Sequence, residues 1–283
     1  MAKRAFRRKV LGNFPLLAGG LVTIAVVLVA LLAPWIAPHD PNWQETRLRL
    51  QGPSPDHPGH PLGLDDLGRD VLSRVIWGAR VSLRVGFSVV LITATIGILL
   101  GAIAGYLGGL LDTVIMRVSD MLLAFPGILL AIALVAVLGP SLNNVILALS
   151  VIGWVSYARL VRGQVLKVRE MEFVTAAEAL GARSMRVIFK HLLPNVLSPV
   201  IVMATLGLAG AILAEASLSF LGLGVQPPTP SWGAMLTTGR QYIGLANHLA
   251  IYPGVAIMLA VMGLNFLGDG LIDALDPKYR KEI

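Results

Sequence analysis

Thr175-Ala176-Ala177-Glu178-Ala179-Leu180-Gly181 begins a polar stretch that runs on to Leu193-Pro194. It carries Arg183, Arg186 and Lys190, and Arg162, Lys167 and Arg169 precede it. Apolar runs flank it on both sides, over residues 145–160 and 196–221. A basic loop between two such runs marks a chain that crosses a membrane as helices, with the loop on the cytoplasmic face. Two short helices are expected inside the loop, over 173–180 and 182–191, joined at Gly181 because glycine accepts the backbone conformation of a tight turn. Ala176, Ala177 and Ala179 are small and let another surface approach the backbone. Pro194 has no N–H and is expected to interrupt helical bonding before the next apolar run.

The rest of the chain supports a membrane reading. Of its 283 residues, 55% are hydrophobic and only 14% charged, against about 25% charged in an ordinary soluble domain. Mean hydropathy is +0.75. Besides the two runs around the loop, apolar segments cover 16–36, 83–106, 113–138 and 249–271, so the fold class is an all-α polytopic membrane protein with six transmembrane helices. The first segment exceeds the ~7–15 apolar residues of a secretory leader and reads as a retained helix. The net charge of +7 is confined to the tails and loops, which argues for topology determinants and against nucleic acid. Lys3, Arg4, Arg7, Arg8 and Lys9 before the first helix, and Lys278, Arg280 and Lys281 at the end, put both termini in the cytoplasm. Cysteine is absent, which excludes a disulfide framework, a thiolate metal site and a cysteine nucleophile.

Two external segments are too long to be turns, residues 37–82 and 222–247. In the first, Asp70 is placed to cap a short amphipathic helix bearing Val71, Leu72, Val75 and Ile76; in the second, a short interfacial helix is expected to start at Ser231. His39, His57 and His60 lie in Pro- and Gly-rich coil, a context that assigns no metal site. Glu215 is an acid within an apolar run. It either faces a water-filled pathway or hydrogen-bonds within the protein. Arg117 and Asp120 are three apart on one helix and are expected to pair. Pro126-Gly127 is expected to kink the third span, and Gly97, Gly101 and Gly105 form a small-residue packing stripe. No nucleophile, metal-hydrolase or nucleotide-binding glycine motif is present, so neither catalytic residues nor a cofactor site are read.

Taken together, several motifs resemble one family. They are His60-Pro61-Leu62-Gly63, Asp66-Leu67-Gly68-Arg69-Asp70-Val71-Leu72-Ser73-Arg74, Gly78-Ala79-Arg80-Val81-Ser82-Leu83, Phe125-Pro126, Glu215-Ala216-Ser217-Leu218-Ser219-Phe220-Leu221-Gly222, Pro230-Ser231-Trp232-Gly233 and Asp273-Ala274-Leu275-Asp276-Pro277, besides the loop. The chain resembles the C-type permease subunits of binding-protein-dependent importers of dipeptides, oligopeptides and nickel, a type I ABC importer family. It departs from the family pattern at Thr175, where glutamate is usual, and at His191, where an aliphatic residue is usual.

That resemblance implies a bacterial or archaeal inner-membrane subunit that is not itself an enzyme. Its partners would be a homologous second permease, two ABC ATPase subunits, an extracytoplasmic solute-binding protein and membrane lipid. The ATPase would be gripped through Ala176, Ala177, Glu178, Ala179, Gly181, Ala182, Leu193 and Pro194. Glu215, Ser217, Ser219 and Pro126 are the pathway or gate residues it points to, and Asp66, Arg69, Asp70, Arg74 and Trp232 the binding-protein docking residues. The chain then divides into residues 1–80, a transmembrane domain over 81–275 with its coupling loop at about 162–195, and a tail over 276–283. Peptides are the expected cargo, with nickel or another small solute as the alternative. A lone ion-driven transporter would show inverted repeats and broken mid-membrane helices, and a membrane hydrolase would need a constellation the sequence lacks.

Overall fold

The computed structural model describes residues 13–56 and 58–275; the basic N-terminal tail, His57 and the tail from 276 onward lie outside the described residues. The described chain is helical: α1 (Phe14–Ile36), α2 (Val71–Leu107), α3 (Gly109–Leu123), α4 (Gly127–Leu138), α5 (Leu142–Val168), α6 (Glu172–Ala179), α7 (Ser184–Arg186), α8 (Leu193–Phe220), α9 (Trp232–Gln241) and α10 (His248–Leu275). Five stretches are long and apolar enough to cross a membrane, and the bent pair α3–α4 brings the number to six. Several helices start where a side chain satisfies an otherwise free N–H. Asn13 caps α1, Asp70 α2, Ser141 α5 and Ser231 α9.

α2 and α5 form the spine. Their backbones approach along the glycine stripe: a Cβ on Gly97 would lie 2.3 Å from Tyr157 Cβ, and one on Gly101 2.4 Å from the Ala158 carbonyl oxygen. α1 packs along α10 in the same manner, with Gly19 against the Gly263 and Leu267 backbone. Many large apolar side chains remain exposed, among them Leu21, Leu28 and Leu31 of α1 and Leu91 of α2; hydrocarbon is the natural solvent for such a surface.

The structure corrects four expectations. The amphipathic helix after Asp70 and the second span are one helix of 37 residues, because no helix breaker separates them and Gly78 fits against Trp232. The third span is two helices meeting at 85°. Pro126 cannot donate and disfavours helical geometry at Phe125, so the break is a corner and not a kink. The Arg117–Asp120 pair gives way to a pair across helices, with Arg159 Nη2 of α5 donating to Asp120 at 2.5 Å. Pro194 does not separate the loop from the next span, since helix runs from Ser184 to Phe220. The turn before it, Val187–Leu192, is π-wound, and this wider winding accommodates a ring that would otherwise meet the carbonyl four residues back.

Candidate coupling loop and platform

α6 ends in a Schellman motif. The Gly181 N–H donates to the Glu178 carbonyl at 2.8 Å and the Ala182 N–H to the Ala177 carbonyl at 3.0 Å. Gly181 sits at φ +81°, in the left-handed region that favours glycine. One side of the loop is anchored. Val174, Val187, Ile188 and Leu192 are buried with Val161, Val165 and Val168 of α5 and Val196 of α8. Tyr106 Oη, near the end of α2, donates to Glu178 Oε1 at 2.8 Å. Arg169 reaches the Gly105 carbonyl at 3.1 Å. The other side is open: Leu180 is 89% exposed, and Met185 and Phe189 are exposed too. Ala176 and Ala179 lie on the surface, as does Pro194, while Ala177, Ala182 and Leu193 are half-buried. Arg162, read only as a topology charge, is tied to Asp112 at the start of α3 by two hydrogen bonds of 2.5 and 2.6 Å. The apolar tip formed by Leu180, Met185 and Phe189 went unnoticed in the sequence, where spacing alone does not separate it from the buried Val187 and Ile188.

The four candidate pathway residues fall into two groups. Glu215 is completely buried; its carboxylate accepts from Ser219 Oγ at 2.7 Å and from Ser82 Oγ of α2 at 3.2 Å. Ser219 is buried with it, and also accepts from the Val225 N–H. Glu215 therefore ties α8 to α2 through Ser82, and Ser219 holds its carboxylate from within α8. Ser217 is half-buried and bonded to the Leu213 carbonyl, whereas Pro126 is exposed at the α3–α4 corner. A cavity of about 630 Å³ opens between α2, α5 and α8, lined by Val89, Thr93, Gly153, Tyr157, Met203 and Gly207 among others. Thr93 bonds to the Val89 carbonyl of its own helix, so the walls offer few free polar groups. No sequence motif marks this cavity, because its lining residues come from three helices.

At the other end of α2, residues 37–70 and 221–247 join into one platform. Leu50, Leu62, Val71 and Val75 pack with Met235, Tyr242 and Leu249, and Trp232 Nε1 donates to the Val75 carbonyl at 2.9 Å. Four of the five candidate docking residues belong to its interior rather than its surface. Arg69, Asp70, Arg74 and Trp232 are buried, with only Asp66 partly exposed. Asp65 holds the network: its Oδ2 receives Arg69 Nε at 2.7 Å and lies 3.4 Å from Arg74 Nε, and its Oδ1 accepts the Leu67 and Arg69 N–H groups. Buried charges persist only when paired, and Arg74 Nη1 is satisfied further by the Pro41 carbonyl at 2.9 Å. Asp70 Oδ2 caps α2 through Ser73, and its Oδ1 meets His60 Nδ1 at 3.0 Å. His39 stacks near His60, with ring centroids 4.5 Å apart. The sequence kept Asp70 apart from these histidines.

The profile of the binding-protein-dependent transport system inner membrane component family matches residues 97–281, well over half of the chain. The chain belongs to this family. A second profile, the N-terminal transmembrane domain of oligopeptide transport permease C, matches residues 3–53. Among curated relatives, the dipeptide transport system permease protein DppC of Alkalihalophilus pseudofirmus is 48% identical over 93% of this chain and 86% of its own length. The di/tripeptide transport system permease protein DppC of Pseudomonas aeruginosa is 47% identical over 93% and 88%. The glutathione transport system permease protein GsiD of Pectobacterium atrosepticum is 43% identical over 98% and 91%. The permease is therefore a multi-pass membrane protein of a binding-protein-dependent transport family. The 97–281 match contains the α6 loop, the cavity helices α5 and α8, and Glu215, while the ion network around Asp65 precedes it.

Proposed function

We propose that this permease is the pathway subunit of an ATP-driven importer of short peptides. The relatives named above carry dipeptides, di- and tripeptides, or glutathione, itself a tripeptide. The observation that carries the coupling role is the two-sidedness of the α6 loop: Val174 is buried against α5 while Leu180, six residues on, is almost wholly exposed. An ATPase groove that takes Leu180 and the small surface around Ala176 and Ala179 would pull on α6. Through Val174, Ile188 and Leu192 that pull reaches α5 and α8, and through Glu178 and Tyr106 it reaches α2. These three helices wall the apolar cavity.

Two ATPase chains and a homologous second permease complete the machine, with both termini and the α6 loop in the cytoplasm. The platform faces outward and receives a solute-binding protein; its buried ions give it shape, and the contact falls on exposed residues such as Trp43 and Leu67. A cavity with few free polar groups reads peptide size rather than sequence, which leaves selection to the binding protein. Ser217 and the Pro126 corner stand on the moving side of the pathway, and Glu215, oriented by Ser219, keeps α2 and α8 together as they move. In this division, residues 1–80 and the 276–283 tail serve a transmembrane domain over 81–275.

Two measurements test the reading. The chain has no cysteine, so single cysteines at Met185 and Thr229 report topology directly; an impermeant thiol reagent applied to intact cells should label only the second. Gly181→Pro cannot adopt φ +81° and removes an N–H of the motif. Peptide uptake should be lost while membrane insertion persists. Labelling at Met185 from outside, or normal uptake by the proline variant, would overturn the proposal.

A further inference from the structure

We infer that His39, His60 and Asp70 form a binding site on the platform for a divalent cation of the zinc type. A ring nitrogen of each histidine and a carboxylate oxygen of Asp70 all lie within 4.8 Å of one another, the one such group of three among the described residues. The residues come from two places, the coil at 39 and 60 and the N-cap of α2, and the fold alone brings them together. Two imidazoles and a carboxylate suit zinc and similar borderline ions, with a fourth position left for water, and disfavour magnesium or calcium, which prefer all-oxygen shells.

The surroundings are those of a ligand set. Ligating histidines commonly donate their second ring N–H to a carbonyl. His39 Nε2 lies 2.8 Å from the Gly59 carbonyl oxygen, a hydrogen bond that leaves its Nδ1 lone pair free. Asp70 is held by Ser73, whose N–H and hydroxyl both donate to Oδ2 at 2.7 Å, so the oxygen that faces His60, Oδ1, is the one placed to meet an ion. Ser73 Oγ also accepts the His39 N–H at 3.0 Å, which fixes the coil to the helix start. Donors of a tetrahedral zinc ion stand about 3.3 Å apart, so the cluster closes onto an ion by small side-chain rotations. The His60–Asp70 hydrogen bond is then replaced by two metal bonds. The bound ion would clasp residues 39–60 to the N-terminus of α2, independently of the transport role proposed above.

The test is zinc binding to the full chain in lipid nanodiscs, measured by equilibrium dialysis with metal quantification. The expected result is about one Zn²⁺ per chain at micromolar free zinc, with Mg²⁺ and Ca²⁺ failing to compete. The double variant His39→Gln/His60→Gln should weaken binding by more than about 100-fold and still melt cooperatively without zinc. Should the double variant misfold, His39→Gln alone decides, because it spares the His60–Asp70 pair. Cobalt substituted for zinc should give visible absorption bands that disappear in the same variants. Absence of zinc binding by the native chain, or undiminished binding by a folded variant, overturns the assignment.

Discussion

The platform and the α6 loop stand at opposite ends of α2, and both are polar segments between apolar helices. In the platform, Asp65, Arg69, Asp70 and Arg74 turn inward and lie buried beside its apolar cluster. In the loop, Arg183, Arg186 and Lys190 lie on the surface, and it is the apolar Leu180, Met185 and Phe189 that stand out from it. A segment that must keep its own shape uses paired charge where apolar residues are scarce. A segment fixed to the bundle by a few valines is free to present apolar residues to a partner. Charge in a sequence therefore does not by itself mark a docking surface.

That contrast can be broken most sharply at Asp65. Asp65→Ala removes the carboxylate that Arg69 and Arg74 share, leaving Arg69 the longer Asp66 contact and Arg74 the Pro41 carbonyl, and breaking a buried pair costs about 3–5 kcal/mol. Limited proteolysis should then cut within residues 37–70 while the α6 loop stays as resistant as before; an unchanged cleavage pattern would show that the ion network does not hold the platform. Leu180→Asp probes the opposite design. Losing a central apolar contact should weaken capture of the partner ATPases by about 2 kcal/mol, roughly 30-fold, with no change in the permease's melting temperature. Equal capture by the variant would remove the apolar tip from the interface.

Tyr106→Phe sharpens the comparison with a smaller effect. It deletes one hydrogen bond to surface-exposed Glu178, worth about 0.5–1.5 kcal/mol. Hydrogen exchange in α6 should speed up while α2 is unaffected, and an unaltered α6 would mean that the Val174 packing alone holds the loop. The smallest effect belongs to Asp66. Burial, followed by the neighbouring Asp65 charge, pushes its carboxyl above the usual carboxylate range, against the opposing pull of Arg69. The folded protein then holds this proton more tightly than the unfolded chain, so stability declines as pH rises from about 4 through the raised value. Asp66→Asn removes that decline: relative to the native chain, it should melt higher at neutral pH than it does near pH 4. A difference that does not vary with pH would dismiss the effect.

What the sequence determined by itself was the solvent and the punctuation. Runs of apolar residues long enough to span hydrocarbon required helices, and Asp70, Ser231 and Gly181 announced their own turns because capping and left-handed backbone are local matters decided within a few residues. Family motifs spread over the chain made the transport family legible as well. Tertiary structure decided everything that depends on which face of a segment meets another. It made Arg159 and not Arg117 the partner of Asp120, buried Glu215 between Ser82 and Ser219, hid four of the five expected docking side chains, and brought His39 and His60 to Asp70. Burial and long-range pairing depend on surfaces contributed by segments far apart along the chain, and neither periodicity nor local spacing records where those surfaces meet.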